Sequence, residues 1–142
     1  MNDETPPGTA HAPRWFKWPL ILLAFAAVAG LLWQALPGAA YPTDLSRIGA
    51  GRPTLVLAHD SNYAGGAEVM ELMNGIRGEY AGRVDFLVAH LAMADAQAFA
   101  GRHGAHDGTV LLFAGDGRRV GMLQRPLSAD ELRRALAAAF GV

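Results

Sequence analysis

Two short stretches of the sequence contain the residue types that bind metals or move protons. His59 and Asp60 follow an apolar run, and His106 and Asp107 lie in a later polar loop. Imidazole and carboxylate together suit zinc or copper(II). The spacing of the four residues matches no established ligand motif, so two structural alternatives stay open: a His59 bonded to backbone and a polar turn capped by Asp107.

The same pairs are candidates for a catalytic base and its orienting partner. Adjacent strand residues point to opposite faces, so neither pair is coupled by sequence alone. Ser61 lacks the surroundings of a nucleophile elbow. The chain contains no cysteine, which excludes disulfides, thiolate metal sites and thiol catalysis. We therefore expect a protein without enzyme activity and without a cofactor.

Length and charge narrow the classes of partner. The chain has 142 residues and a formal net charge of −1 at pH 7. It has no run of Lys and Arg, which argues against a nucleic-acid-binding surface. After the first 40 residues there is room for one ordinary domain.

The N-terminal region has the pattern of a membrane anchor. Residues 19–36 contain a single polar side chain, and their number approaches the roughly 20 residues that span a bilayer. Tryptophans flank the run, and Arg14 and Lys17 before it place the N-terminus in the cytoplasm. We expect a single pass through the inner membrane with the following domain in the periplasm. Small residues at Gly38 and Ala40 leave a cleaved signal peptide as the alternative.

These patterns divide the chain into four segments. They are a cytoplasmic tail at residues 1–18, a transmembrane helix at 19–36, a linker at 37–52 and a folded domain at 53–142. Within the linker, residues 44–48 predict one helical turn.

The folded segment alternates strand and helix patterns. The predicted elements are strand 54–58, helix 66–80, strand 84–89, helix 93–103, a hairpin around Gly115–Gly117 and a helix begun by a Ser128–Glu131 capping box. The order β-α-β-α-β-β-α has a parallel first half and an antiparallel second half. Right-handed crossovers put strand 54–58 at the centre of a four-stranded mixed sheet with helices on both faces.

Three stretches of this segment resemble the thioredoxin family: "GRPTLVLAH", "GEYAGRVDFLVAHL" and "GTVLLFAGDGRRV". The resemblance covers about residues 51–142 and implies a thioredoxin-like α/β fold. It places Tyr63 and Gly66 at the two cysteine positions of the Cys-x-x-Cys motif. Asn62 stands at the usual Trp and Leu57 at the buried Asp. Because thiol–disulfide exchange needs a thiolate, this activity is excluded.

The resemblance leaves a groove beside the helix N-terminus as a surface for a protein partner. Gly65 and Gly66 would offer backbone N–H groups to a carboxylate or phosphate. In the alternative, Tyr63 fills the space vacated by the cysteines and the Trp. Gly108, which precedes Thr109, stands at the family's cis-proline. The candidate binding residues are therefore Asn62, Tyr63, Gly65, Gly66, Gly108 and Thr109.

The resemblance also implies that the loops carrying His59, Asp60, His106 and Asp107 converge. We expect a redox-inactive, membrane-anchored accessory subunit, or an assembly or scaffold factor, of a membrane or periplasmic complex. It would contact protein partners through its folded domain and the lipid bilayer through residues 19–36. The alternative is a periplasmic copper or zinc chaperone that uses the His and Asp residues.

Overall fold

The computed structural model describes residues 21–28 and 40–142. Residues 21–28 are helical, with exposed apolar side chains. Across these two ranges, no helix combines the length and the apolar character needed to cross a membrane. The predicted tail and most of the predicted span 19–36 lie outside the described residues. The unit formed by residues 40–142 is considered below by itself.

This unit consists of a sheet with helices on both faces. A 3₁₀ turn at Leu45–Arg47 precedes the sheet. It lies in the linker segment 44–48, for which the sequence predicted one helical turn. The elements that follow are β1 (Thr54–His59), α1 (Gly65–Ile76), β2 (Asp85–His90), α2 (Ala94–His103), β3 (Thr109–Phe113), β4 (Arg119–Gln124) and α3 (Ala129–Phe140).

The four strands lie in the order β2-β1-β3-β4. β1 runs parallel to β2 and antiparallel to β3, and β4 runs antiparallel to β3. The predicted α/β fold with a four-stranded mixed sheet is confirmed. β1 lies at an inner position, which explains why its sequence is a continuous apolar run and not an alternation.

Alternate residues of β1 enter two different cores. Leu55 and Leu57 belong to the core that α1 and α3 cover, and Val56 belongs to the core that α2 covers. The strand period of two produces this division. The sheet is therefore held rigidly from both sides, and the loops at its edges start from fixed positions.

α1 ends four residues before the predicted end of that helix. It stops at Ile76, and turns occupy residues 77–83. Glycines at 75, 78 and 82 reduce the helical propensity of this region, and Gly82 takes a left-handed φ of +76°. Tyr80 is nevertheless buried, as its apolar position predicted.

The pairing of the strands defines two edges of the sheet. At the upper edge, β1 ends at His59, β2 ends at His90, β3 begins at Thr109 and β4 ends at Gln124. At the lower edge, β1 and β2 begin, β3 ends and β4 begins. All of the candidate residues lie at the upper edge.

Candidate functional site

The structure pairs one member of each His–Asp stretch with one member of the other. His59 Nδ1 lies 3.5 Å from Asp107 Oδ1, and the two side chains are only 13% and 12% exposed. The buried Nδ1 atom has no hydrogen-bond partner. The ring of His59 also packs edge-on against the ring of His90, with 5.7 Å between centroids. Both predicted loops therefore converge, and of the four His and Asp side chains those of His59 and Asp107 meet.

Asp107 holds the start of α1. Ala64 occupies the N-cap position and makes no side-chain cap. In its place, the backbone N–H of Gly66 donates to Asp107 Oδ2, with 2.8 Å between N and O. The N–H of Asp60 donates to Asp107 Oδ1 at 2.9 Å. A carboxylate at a helix N-terminus is favoured both as a hydrogen-bond acceptor and by the helix dipole.

This arrangement corrects the expected role of Gly66. Its N–H is not available to an external carboxylate or phosphate, because Asp107 already accepts it. A Cβ atom at position 66 would overlap His59 Nδ1 and Asp107 Oδ1. Glycine is therefore required there so that the two side chains can pack against the helix backbone.

The geometry offers few ligands to a metal ion. Asp60 Oδ1 is used within its own turn, where it accepts from the backbone N–H and the side-chain amide of Asn62. His106 is exposed. Across residues 21–28 and 40–142, no group of three or more His, Cys, Asp and Glu side chains is arranged to hold a metal.

Tyr63 does not fill an internal space. Its side chain is 66% exposed, so the alternative in which it replaces the missing side chains of the core does not apply. Its backbone N–H donates to the carbonyl of Asp60 at 3.0 Å. This bond and the Asn62 contacts keep the turn compact and hold the phenol ring outward.

Gly108 and Thr109, two further candidate residues, are buried and serve the scaffold. Gly108 has a φ of +80°. Its N–H donates to the carbonyl of Ala58, and its carbonyl accepts from the N–H of Arg125. Thr109 Oγ1 accepts from the N–H of His106 at 3.1 Å. Because both residues are buried, neither Gly108 nor Thr109 offers surface to a partner.

A cleft with a volume of about 520 Å³ opens between the β1–α1 turn and the loop before β3. Its walls include Asp60, Tyr63, Leu91, His106, Asp107 and Arg125. Neither Leu91 nor Arg125 is among the site residues predicted from the sequence. The predicted antiparallel hairpin could have indicated Arg125. In such a hairpin the second strand ends beside the start of the first, so a residue just after β4 lies at the upper edge.

Large apolar side chains are exposed at the same edge. Within residues 40–142 there are three of them: Tyr63 at 66%, Met93 at 60% and Leu127 at 86%. They belong to the segments that follow β1, β2 and β4, respectively. Since all three strands end at the upper edge, these side chains share one end of the molecule with the cleft.

Comparisons with known proteins agree with this architecture. No protein-family model and no curated protein matches the chain. Solved structures do match. One is the solution structure of an uncharacterized thioredoxin-like protein from Clostridium perfringens, with a TM-score of 0.65 and 14% sequence identity. The match covers 74% of this chain and 84% of that chain.

The chain has a thioredoxin-like fold. At 14% identity this likeness concerns the fold alone. The thioredoxin-like domain of this chain holds no cysteine. The turn at the upper edge therefore has a strand end and a helix N-terminus but carries no thiol, and the mostly buried Asp107 accepts from the N–H of Gly66 at the helix N-terminus.

Proposed function

We propose that this chain is a redox-inactive, membrane-anchored protein that serves as an accessory subunit or assembly factor of a membrane or periplasmic complex. Residues 19–36 would hold it in the inner membrane, with the thioredoxin-like domain in the periplasm. The domain would be non-catalytic and would bind a protein partner at its upper edge. The lack of cysteine supports the absence of thiol redox chemistry.

The observation that carries this proposal is that the three large apolar side chains exposed in the domain all follow strands that end at the upper edge, the edge that also holds the cleft. Tyr63, Met93 and Leu127 lie at one edge, whereas the other large apolar side chains of the domain are buried or half-buried. Exposed apolar groups gathered at one place, with polar groups around them, are typical of protein interaction sites. Asp60 and Arg125 in the cleft wall would supply the polar rim.

The experiment that tests this proposal is purification of the full chain from its native membranes in a mild detergent. We expect the chain to be recovered together with the same identified protein in repeated preparations. In a variant with Tyr63→Ala, Met93→Ala and Leu127→Ala, recovery of that protein should fall about tenfold, since exposed hot-spot residues contribute most of the binding energy.

The matched control replaces three exposed residues that lie away from the upper edge: Arg102→Ala, Arg118→Ala and Arg134→Ala. The control should retain the partner. A chain recovered alone, or equal loss of the partner in both triple variants, would contradict the proposal. Circular dichroism of both variants shows whether the fold is intact, and exposed substitutions should change stability by less than about 0.5 kcal/mol.

Within residues 21–28 and 40–142, the feature that favours the metal-chaperone alternative is the contact between His59 and Asp107. Two ligands are fewer than the three or four protein ligands that a zinc site uses. Dialysis of the purified chain against zinc and copper distinguishes the two functions. Retention of about one metal ion per chain, lost in a His59→Ala variant, would favour the chaperone.

A further inference from the structure

The lower edge carries a cluster of arginines that the proposed docking function does not use. Arg47 and Arg52 both contact Asp85, with 3.2 and 2.9 Å between guanidinium nitrogen and carboxylate oxygen. One carboxylate therefore faces two guanidinium groups. The side chains of Arg47 and Arg52 are partly exposed, while that of Asp85 is mostly covered.

Two more arginines of this edge lie over aromatic rings. The guanidinium carbon of Arg77 lies 4.4 Å from the ring centroid of Tyr41, and that of Arg83 lies 5.4 Å from the ring of Tyr80. A cation–π contact restrains a guanidinium group beside the ring, and Arg83 also donates from Nη2 to the carbonyl of Glu79 at 2.7 Å. Guanidinium groups held in this way match the geometry of phosphate oxygens.

The two edges differ in net charge. The loops and strand ends of the lower edge contain six arginines and four carboxylates, a net charge of +2. The arginines are Arg47, Arg52, Arg77, Arg83, Arg118 and Arg119, and the carboxylates are Asp44, Glu79, Asp85 and Asp116. The loops and strand ends of the upper edge contain Arg125, Asp60 and Asp107, a net charge of −1.

The chain enters the folded unit along β2, between this arginine cluster and the upper edge: the carbonyl of Pro42 accepts from the N–H of Val88 at 3.0 Å, and Thr43 lines a cleft with His90 and Met93. Pro42 lines a cleft of about 200 Å³ together with Arg47 and Arg77, and Tyr41 lies under the Arg77 guanidinium. Tyr41 follows Leu36, the last residue of the predicted anchor, by five positions. Even fully extended, five residues span at most about 18 Å. An anchor at residues 19–36 would therefore hold Tyr41, and with it the Arg77 guanidinium, near the membrane surface.

We propose that Arg47, Arg52, Arg77 and Arg83 bind the anionic headgroups of the phospholipids that surround the anchor. This inference rests on the proposed membrane anchoring. Basic residues next to a membrane segment are attracted to anionic lipid, by about 1 kcal/mol for each residue near the surface. Bound in this way, the lower edge faces the bilayer and the upper edge, with its exposed apolar side chains, faces away from it.

The absence of cysteine makes the test specific, because a single introduced cysteine takes up one fluorescent label. We would label Ala81→Cys, exposed at the lower edge, and Ser61→Cys, exposed at the upper edge. Each full chain is reconstituted into vesicles of phosphatidylcholine alone, or of phosphatidylcholine with phosphatidylglycerol. Quenching by acrylamide, which is uncharged, reports how accessible each label is to water.

We expect quenching at position 81 to fall about threefold in the vesicles that contain phosphatidylglycerol, and to recover at high salt, because screening weakens the attraction. Quenching at position 61 should not change. The protection should be lost in an Arg52→Gln, Arg83→Gln variant, which keeps Arg47 with Asp85. It should persist in the Arg102→Gln, Arg134→Gln control, which removes the same charge from exposed sites elsewhere.

Alkaline extraction of the same vesicles tests separately whether the chain is inserted in the bilayer. A chain that resists extraction but shows equal quenching at both positions in both lipids overturns the headgroup proposal and leaves the anchoring intact. A chain that is extracted overturns the anchoring. For such a chain, vesicles that contain phosphatidylglycerol are added to the labelled protein and the quenching is measured again, which tests headgroup binding without the anchor. Unchanged quenching at position 81 would overturn the headgroup proposal.

Discussion

Asp107 at the upper edge and Asp85 at the lower edge are both mostly buried carboxylates, yet they bind different groups. Asp107 accepts two backbone N–H groups, those of Gly66 and Asp60. Asp85 contacts the side chains of Arg47 and Arg52. The first carboxylate fixes the shape of a turn, and the second holds flexible charged side chains in place. The comparison indicates that the upper edge is built to keep its backbone rigid, and the lower edge to carry charge.

The rigidity of the upper edge predicts the largest effect of a single substitution. Gly66→Ala would push a methyl group into His59 and Asp107 and disturb the bond that caps α1. Overpacking at such a site costs about 3 kcal/mol. Chemical denaturation of the purified chain measures the loss.

The matched control is Gly75→Ala, in the same helix, where a Cβ atom would meet no neighbour within 4 Å. That variant should be more stable than the natural chain by about 0.5 to 1 kcal/mol, because alanine favours a helix over glycine. Equal stability of the two variants would mean that the contact of His59 and Asp107 with the start of α1 has no energetic role.

The second prediction compares the two carboxylates directly. Asp107→Asn removes the charge that accepts from two backbone N–H groups and should cost about 2 kcal/mol, the usual value for hydrogen bonds to a charged group. Asp85→Asn weakens contacts to partly exposed arginines and should cost less than about 1 kcal/mol. Denaturation of both variants at one pH gives the ranking. The reverse order would show that the lower edge is the more constrained of the two.

The third and smallest effect concerns pH. His103 packs against the rings of Phe99 and Phe113, and burial, with nearby Arg119 and Arg102, lowers its pKa below the ordinary value of 6.5. On acidification, the unfolded chain therefore takes up a proton on this imidazole at a higher pH than the folded chain does. The stability contributed by His103 is present above the unfolded pKa and is lost as the pH falls through the folded pKa.

Unfolding measured at about pH 7.5 and about pH 5.5 should show the natural chain losing more stability on acidification than a His103→Gln variant. His103 ends α2, and its carbonyl accepts from Arg119 of the lower edge at 3.0 Å, so the result sharpens the comparison by giving the pH response of a group beside that edge. A natural chain and variant with parallel pH dependence would rule out this contribution.

Local patterns predicted the scaffold well. The β1 strand followed from its apolar run, and the start of α3 followed from the Ser128–Glu131 pattern. Ser128 Oγ does accept from the Glu131 N–H at 3.2 Å. The Glu131 carboxylate returns to the N–H of Leu127 at 2.9 Å and not to that of Ser128. Both patterns involve residues that are close together in the sequence, and they were therefore sufficient to predict β1 and the start of α3.

The candidate site depends on contacts between residues far apart in the sequence, which local sequence patterns do not predict. Asp107 caps Gly66 across 41 positions, so its role becomes visible only when the two loops are placed together. The exposure of Tyr63 depended on how its turn closes. The fold resemblance predicted that the loops converge, but which of the four His and Asp residues meet was decided by packing around Gly66.

In the proposed function the upper edge, and not the lower edge, meets a protein partner. The most direct measurement places a photo-crosslinking amino acid at Tyr63 in one full chain and at Arg118, exposed at the lower edge, in another. Irradiation of native membranes should attach the same identified protein at position 63, and no protein at position 118. Absence of an adduct at position 63, or the same adduct at both positions, would contradict the central claim.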